Sequence, residues 1–258
     1  MLGMRIADGI AWLVLSQPER LNPLGRSSMK ELRHAVAAVA GDASVRAVIL
    51  AGEGRAFSAG GDVAEFHAEL SRAPAFLAEL VAHLHAAITA LLQMPKPVIA
   101  YTAGVVAGGG MGLFLAADLA IAAESASFVM AYTGIGASPD GGSTFFLPRV
   151  VGTRRALELA LTNRRLTARE ALDWGLVNQV VPDAEVEKAA LDLATRLASG
   201  PTLAFAHARA LLRQSFLHTP EAQMEHETRS LLATAATADF REGVTAFVER
   251  RPPIFTGG

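Results

Sequence analysis

Three glycine-rich segments, each next to a predicted strand, constrain the fold of this chain more than any other feature. They cover residues 52–62, 104–112 and 138–144. The first two run from a strand through glycines into a helix, a geometry that directs backbone N–H groups into a pocket where negative charge is stabilised. Two such turns facing each other would form an oxyanion hole from the backbone alone. Glycines in these places can also serve only tight turns and close packing.

Short apolar runs alternate with helical periodicities through the first two thirds of the chain, which predicts an α/β fold. From Asp183 onward nearly all of the sequence is predicted to be helical. We therefore predict an α/β core over residues 1–199 and a helical C-terminal region over residues 200–258. Residues 67–75 show no clear periodicity of apolar residues, which is consistent with a mobile loop near the pocket formed by the glycine turns. Predicted strands cover residues 10–15, 45–50, 97–101, 119–123 and 177–181, and predicted helices cover 28–40 and 74–92.

The composition argues against several classes of partner. The chain has 258 residues, of which 51% are hydrophobic and 19% charged, with a formal charge of -2. Without a basic excess we expect no nucleic acid and no anionic membrane as partner. The few charged residues hint that part of the surface is buried against other subunits.

There are no cysteines, which excludes disulfides and thiolate nucleophiles. The first residues lack a signal-type apolar run, so we expect a cytoplasmic protein.

Motifs for common cofactors are missing from the glycine-rich segments. The sequence contains no G-x-G-x-x-G dinucleotide fingerprint, no phosphate-binding P-loop and no G-x-S-x-G nucleophile elbow. The histidines are scattered, and His83 and His85 lie two residues apart on a predicted helix, where they cannot share a face. We therefore predict no metal site, and histidines that are solvated or cap helices.

Among the acidic residues, Asp140 is the candidate for acid–base chemistry. Apolar residues Ile135 and 145–146 flank it, and desolvation of a carboxyl group favours its neutral form and a role in proton transfer. The alternative is that Asp140 caps a helix that begins just after it. Asp62, at an expected helix N-cap, and Asp118, between a helix and a strand, are predicted to be structural.

Four segments, in this order, resemble the crotonase (enoyl-CoA hydratase/isomerase) family over essentially the whole chain. The resemblance implies an α/β fold of the crotonase type, a spiral of β-β-α units with a helical C-terminal trimerisation region. It also implies a homotrimer or homohexamer, and an acyl-CoA substrate whose coenzyme A enters as part of the substrate, with no other cofactor. The segments are PERLN at residues 18–22, RAFSAGGDV at 55–63, AGVVAGGGM at 103–111, and residues 139–152.

The resemblance assigns roles to five residues in or directly after the first two glycine segments. It implies that Gly61 and Gly109 supply the two backbone N–H groups that hold the thioester oxygen. It further implies that Ala59, Asp62 and Val63 lie along the coenzyme A moiety. Residues 18–22 match the loop that contacts the coenzyme in the family.

The match departs from the family's hydratases at their two catalytic glutamates. Aligned without gaps, those positions fall on Gly112 and Tyr132, and neither can act as a carboxylate base. We therefore expect weak or absent hydratase activity. The segments around residues 128–132, 139–149, 239–247 and 251–257 resemble the subgroup of the phenylacetate-pathway ring-epoxide (1,2-epoxyphenylacetyl-CoA) isomerase. In that subgroup an aspartate at the position of Asp140 is the acid/base.

The leading hypothesis is an acyl-CoA isomerase in which Asp140 takes a proton from C2 and returns it at C4. Gly61 and Gly109 would hold the enolate oxygen meanwhile. Alternatives within the family are hydration, thioester hydrolysis and decarboxylation, which share the oxyanion hole but need other acid–base groups. An alternative of another class is a non-catalytic acyl-CoA-binding subunit. A Ser-His-Asp peptidase on a related spiral fold lacks a recognisable nucleophile segment.

Overall fold

Residues 2–258, which the computed structural model describes, form ten β-strands and eleven α-helices. The strands are β1 (Leu2–Ala7), β2 (Ile10–Leu15), β3 (Ala47–Gly52), β4 (Ala56–Ser58), β5 (Val98–Thr102), β6 (Val105–Ala107), β7 (Leu119–Ala123), β8 (Ser127–Val129), β9 (Leu166–Thr167) and β10 (Gln179–Val181). The helices are α1 (Arg26–Gly41), α2 (Val63–Ala68), α3 (Ala73–Gln93), α4 (Gly109–Leu115), α5 (Ser143–Val151), α6 (Thr153–Thr162), α7 (Ala168–Asp173), α8 (Val186–Ala198), α9 (Thr202–Gln214), α10 (Pro220–Ala235) and α11 (Ala238–Glu249).

The larger sheet separates two hydrophobic cores. Its strand order is β1-β2-β3-β5-β7-β10, with β1 and β2 antiparallel and the other neighbours parallel. Successive side chains of a strand point to opposite faces. In β3, Val48 and Leu50 therefore join the core beneath α1 and α3, whereas Ile49 and Ala51 join the core beneath α8. Burial of both faces explains why the central strands are continuous apolar runs.

The smaller sheet brings the glycine-rich segments together. Its strand order is β4-β6-β8-β9, and β4, β6 and β8 run parallel. The first glycine turn follows β4, the second follows β6, and the segment that contains Tyr132 follows β8. The carboxyl ends of neighbouring parallel strands meet at one edge of a sheet, and all three segments therefore emerge at that edge. This edge positions the candidate site.

Helix α3 forms one wall of that site. The segment Leu70–Gln93, which includes α3, is the one stretch within residues 2–258 that is long and apolar enough to cross a membrane by length and composition. One face of α3 is buried, including Phe76, Leu84 and Leu91, which pack in the core beneath α1 and α3. The apolar composition of α3 is therefore explained by its packing against the core.

The predicted strands and helices are confirmed, with ends that differ by a few residues. The helical content after Asp183 is also confirmed, since α8 to α11 and two short 3₁₀ turns occupy most of this part. The loop predicted at residues 67–75 is wrong: α2 continues to Ala68, a 3₁₀ turn covers Leu70–Arg72, and α3 begins at Ala73. Asp62 caps the start of α2, and this cap favours a helix although the apolar residues show no clear helical periodicity.

Candidate active site

The two glycine turns pack directly against each other. A β-carbon on Gly60 would stand 3.1 Å from the carbonyl oxygen of Ala107 and 3.3 Å from the α-carbon of Gly108. Both glycines also have positive φ, +95° and +50°, a backbone conformation that side chains with a β-carbon rarely adopt. These two positions therefore require glycine, and their contact places Gly61 and Gly109, the next residue of each turn, side by side.

The turns leave the N–H groups of Gly61 and Gly109 available. Gly60 donates to Oγ of Ser58 over 3.1 Å and Asp62 donates to the carbonyl of Leu24 over 3.3 Å, on either side of Gly61. Gly109 is the first residue of α4, so its N–H has no carbonyl partner within the helix. The structure thus brings together the two residues assigned to the oxyanion hole.

Apolar side chains enclose the two glycines. A β-carbon on Gly61 would overlap the ring of Phe66, which packs edge-on against Phe76 at a centroid distance of 6.1 Å. A β-carbon on Gly109 would stand 3.1 Å from Leu24 and 3.6 Å from Leu84. Such walls exclude water and strengthen hydrogen bonds to a developing negative charge. The sequence analysis did not assign Leu24 or Leu84 to the site.

Asp140 presents its carboxylate to Tyr132 rather than to a helix. Its backbone carbonyl accepts from N and Oγ of Ser143, 3.0 and 2.7 Å away, at the start of α5. The N-cap residue of α5 is Gly142, and no side chain caps this helix. The carboxylate Oδ1 instead accepts a 2.5 Å hydrogen bond from the Tyr132 hydroxyl. The capping alternative for Asp140 is therefore wrong.

Of the three apolar residues that flank Asp140 in sequence, only Phe146 is buried beside its loop. Ile135 and Phe145 are exposed, whereas the Phe146 ring would stand 2.7 Å from a β-carbon on Gly142. Leu84 and Ile88 of α3 also pack against the loop, since a β-carbon on Gly141 would be 3.5 and 3.6 Å from their side chains. The sequence could not show this contact because α3 lies more than 50 residues earlier.

The Tyr132 hydroxyl links Asp140 to the oxyanion glycines. It lies 4.0 Å from the point at which a β-carbon on Gly109 would stand. Burial, then the negative charge of Asp140, raise the pKa of Tyr132 far above its ordinary value. The phenol therefore keeps its proton and acts as a donor.

His85 contacts the same loop from α3. Its Nε2 accepts a hydrogen bond from the backbone N–H of Gly141 over 3.2 Å. An imidazole accepts in this way only when Nε2 carries no proton. The prediction of a solvated or capping histidine missed this contact, and no local signal marks it, because the partner lies 56 residues later.

The position of the first hydratase glutamate is closed by the Asp140 loop. A β-carbon on Gly112 would overlap the carbonyl oxygen of Gly141 and stand 3.0 Å from its α-carbon. A glutamate at residue 112 therefore cannot be built without moving this loop. At the other glutamate position stands Tyr132, bonded to Asp140.

Asp62 has the structural role predicted for it. Its Oδ1 accepts from the N–H groups of Ala64 and Glu65 at the start of α2, 3.2 and 3.3 Å away. Arg20, in the loop of residues 18–22, donates to both carboxylate oxygens. Ala59 and Val63 are exposed on either side of this turn. Their contact with coenzyme A, and that of Asp62, stays a prediction.

Asp118 is also structural, as predicted. Its carboxylate accepts from the N–H of Val98 and from Arg209 and Arg213 of α9. It thereby joins the large sheet to the C-terminal helices and lies outside the site.

Comparison with known proteins agrees with this geometry. The sequence profile of the family "Enoyl-CoA hydratase/isomerase" matches residues 5–258. The chain is 40% identical over 252 residues to "Probable enoyl-CoA hydratase" of Rhodobacter capsulatus, covering 98% of this chain and 96% of the relative. It is 36% identical over 253 residues to 1,2-epoxyphenylacetyl-CoA isomerase of Escherichia coli K12, covering 98% and 97%. The crystal structure of an enoyl-CoA hydratase from Polaromonas sp. JS666 superposes with a TM-score of 0.94 at 32% identity, covering 98% of this chain and 99% of that one. Because the profile and the relatives span nearly all of its length, the chain belongs to the enoyl-CoA hydratase/isomerase (crotonase) family.

Proposed function

We propose that this protein isomerises an acyl-CoA thioester through an enolate, with Asp140 as the single proton carrier. The N–H groups of Gly61 and Gly109 bind the thioester oxygen. The substrate is an enoyl-CoA or a ring-epoxide acyl-CoA, and coenzyme A enters only as part of it. Isomerisation is a redistribution of protons and bonds without net redox change, so the reaction requires no redox cofactor and no metal.

The observation that carries the proposal is the set of groups around the oxyanion glycines. Asp140 accepts a hydrogen bond from Tyr132, and the Tyr132 hydroxyl lies near Gly109. The loop at Gly141 fills the space above Gly112. Hydration by the family's two-glutamate route needs one carboxylate to activate water and another to deliver a proton. A double-bond shift needs only one, which favours isomerisation.

The double-bond shift balances with Asp140 alone. The carboxylate removes a proton from C2 of a 3-enoyl thioester, and the electron pair moves onto the thioester oxygen. The N–H groups of Gly61 and Gly109 stabilise the resulting dienolate. The same proton returns to C4, a double bond forms between C2 and C3, and Asp140 is again a carboxylate.

The test follows the ultraviolet absorbance of the conjugated 2-enoyl thioester after addition of a 3-enoyl-CoA. The wild-type protein should increase this absorbance, and Asp140→Asn should lower the rate at least about a hundredfold, the usual loss when an acid–base group is removed. Binding of the CoA ester, measured by calorimetry, should persist. The exposed Asp192→Asn on α8 is the matched control and should retain the wild-type rate.

Either of two results would contradict the proposal. Turnover that survives Asp140→Asn excludes Asp140 as the proton carrier. Absence of turnover on both a 3-enoyl-CoA and a ring-epoxide acyl-CoA, with CoA-ester binding intact, indicates another family reaction or a non-catalytic binding subunit.

Hydration is the second candidate, and the name of the Rhodobacter capsulatus relative favours it. A hydratase would decrease the absorbance of a 2-enoyl-CoA as water adds across the double bond. We expect this reaction to be much slower than the double-bond shift. A hydration rate equal to or above the isomerisation rate would make hydration the function.

We also propose a homotrimer or homohexamer. Helix α10 has no buried residue, and α11 exposes Phe247 and Val248 by 86% and 75%. An apolar surface of this kind on the C-terminal helices supports assembly of several copies. Sedimentation velocity measures the assembly directly, and a monomer at micromolar concentration would contradict it.

A further inference from the structure

We propose that Tyr132 is a positioning residue that occupies one oxygen of Asp140 and leaves the other, Oδ2, to carry the proton. This inference rests on the proposed function and deepens it. Its basis is the 2.5 Å hydrogen bond from the Tyr132 hydroxyl to Oδ1 of Asp140, the shortest kind of contact that a phenol and a carboxylate make. The phenol stands where the family's hydratases have a glutamate, so it replaces a second base with a donor.

The backbone before Tyr132 turns its side chain towards Asp140. Ala131 has a φ of +61°, an uncommon conformation for a residue with a β-carbon. The N–H of Tyr132 then donates to the carbonyl of Met130 over 2.8 Å. This turn interrupts the direction of β8. Uncommon backbone conformations persist where the surrounding structure requires them, often at functional sites.

The segment after Tyr132 is anchored from another element. The carbonyl of Tyr132 accepts from the N–H groups of Ile135 and Ala137, both over 3.1 Å. Thr133 donates from Oγ1 to the carbonyl of Ala160 in α6 and accepts from Asn163. Tyr132 is therefore fixed from both sides, as an orienting residue must be.

The phenol remains a donor throughout the working pH range. Burial is the main reason that its pKa is raised, and the negative charge of Asp140 adds to this. Tyr132 therefore cannot serve as the base itself. As a neutral phenol it donates to Oδ1 and acts on Asp140 only through this hydrogen bond.

The same bond orients the carboxylate. With Oδ1 held by Tyr132, rotation of the carboxyl group is restricted and Oδ2 is presented to the substrate. One oxygen then serves both C2 and C4. Loss of the phenol should leave substrate binding unchanged but lower the rate of proton transfer.

The titratable groups around this bond are few. Asp140 belongs to the loop itself, and His85 of α3 accepts from the next residue, Gly141. Ser143 donates from N and Oγ to the carbonyl of Asp140, and its side chain also contacts the Tyr132 hydroxyl. A change in the pH profile caused by Tyr132→Phe must therefore be distinguished from an effect of His85. The variant His85→Gln allows this, because glutamine still accepts a hydrogen bond but does not titrate.

The test compares kcat and KM between pH 5 and 9 for the wild-type protein and Tyr132→Phe, a variant that removes one oxygen atom. We expect kcat to fall about tenfold with KM changed less than about twofold. The acid limb of the profile should move to higher pH, because the carboxylate loses a hydrogen-bond donor. The same movement is expected when Tyr132→Phe is introduced into His85→Gln. Tyr101→Phe is the matched control, since Tyr101 and Tyr132 are the two tyrosines of the sequence.

The outcomes separate this inference from the proposed function. If Asp140→Asn abolishes turnover while Tyr132→Phe has the wild-type kcat and pH profile, the inference is wrong and the function stands. If Asp140→Asn retains turnover, the proposed function fails first. A lower kcat in Tyr132→Phe without movement of the acid limb, or an equal loss in Tyr101→Phe, indicates only a structural role and overturns the inference.

Discussion

Arg20 and Asp62 are joined through one guanidinium nitrogen, Nη2 of Arg20, which lies 2.9 and 2.8 Å from the two carboxylate oxygens of Asp62. The Asp62 side chain is 4% exposed and that of Arg20 48%. The pair ties the loop of residues 18–22 to the first oxyanion turn. Asparagine caps helices as well as aspartate does, so Asp62→Asn should keep α2 but release Arg20.

We therefore expect Asp62→Asn to raise KM for the acyl-CoA several-fold with little change in melting temperature. Asp62→Ala should also lose the cap and cost about 1 kcal/mol of stability. Steady-state kinetics and thermal unfolding measure the two effects. Equal KM values for both variants and the wild-type protein would show that the Arg20 loop does not help to bind the coenzyme.

Gly112→Ala should damage both stability and activity. Its β-carbon would overlap the carbonyl oxygen of Gly141, and overpacking of this kind usually costs about 1–3 kcal/mol. The loop that carries Asp140 must move to relieve the overlap, so turnover should fall further than stability alone explains. For the same reason Gly112→Glu should not create a hydratase.

Gly41→Ala is the matched control for Gly112→Ala. No atom lies within 4 Å of a β-carbon at Gly41, the last residue of α1. This substitution should be neutral, or stabilise the protein by about 0.5 kcal/mol through the unfolded chain. Equal melting temperatures for the two variants would contradict the overlap at Gly112.

The sequence predicted the parts of the site that depend on local pattern. The glycine turns between a strand and a helix predicted an oxyanion hole, and the family resemblance assigned it to Gly61 and Gly109. Asp140 was singled out as a carboxylate flanked by glycines and apolar residues. The small sheet was not predicted, because β4, β6 and β8 have three residues each, too few for a period. The sequence left two possible roles for Asp140, and the structure excludes only the helix cap, since no side chain caps α5 and Oδ1 accepts from Tyr132.

The part of the site that the sequence did not predict depends on contacts between residues far apart in the chain or joined by an unusual turn. Tyr132 was identified from the sequence as standing at a hydratase glutamate position, but its bond to Asp140 requires the turn at Ala131. His85 meets Gly141 only because α3 packs along the Asp140 loop. Neither contact leaves a periodic or compositional signal in the chain.

His85 should support Asp140 through the backbone of Gly141. His85→Ala removes the acceptor for the Gly141 N–H and should lower kcat about three- to tenfold, in line with the loss of one hydrogen bond. His85→Gln retains an acceptor and should recover most of the rate. His83→Ala, two residues away on α3, is the control. Equal activity of all three variants would show that the contact does not position the loop.

The ion cluster at Asp118 should dominate attachment of the C-terminal helices. Arg209 is 9% exposed and also donates to the carbonyls of Leu91 and Met94. Asp118→Ala leaves this buried cation without its carboxylate, which typically costs about 3–5 kcal/mol. Chemical denaturation measures the loss. The exposed Asp192→Ala on α8, paired with Lys188, should cost less than about 0.5 kcal/mol, and equal costs would contradict the assignment.

Stability should decline in alkaline solution because of the two tyrosines. Burial, with a smaller effect of Glu187, raises the pKa of Tyr101 to about 12, whereas tyrosine in an unfolded chain ionises near pH 10. Between these values the unfolded chain holds fewer protons than the folded one, so the free energy of unfolding falls as pH rises. Tyr132, with a pKa raised further, acts in the same direction.

Urea denaturation at pH 9, 10 and 11 should show a shallower decline in the free energy of unfolding for Tyr101→Phe than for the wild-type protein. Burial lowers the pKa of Lys96 and acts in the opposite sense in both proteins, so the difference between them isolates Tyr101. Identical slopes would mean that Tyr101 ionises in the folded state as it does in the unfolded chain.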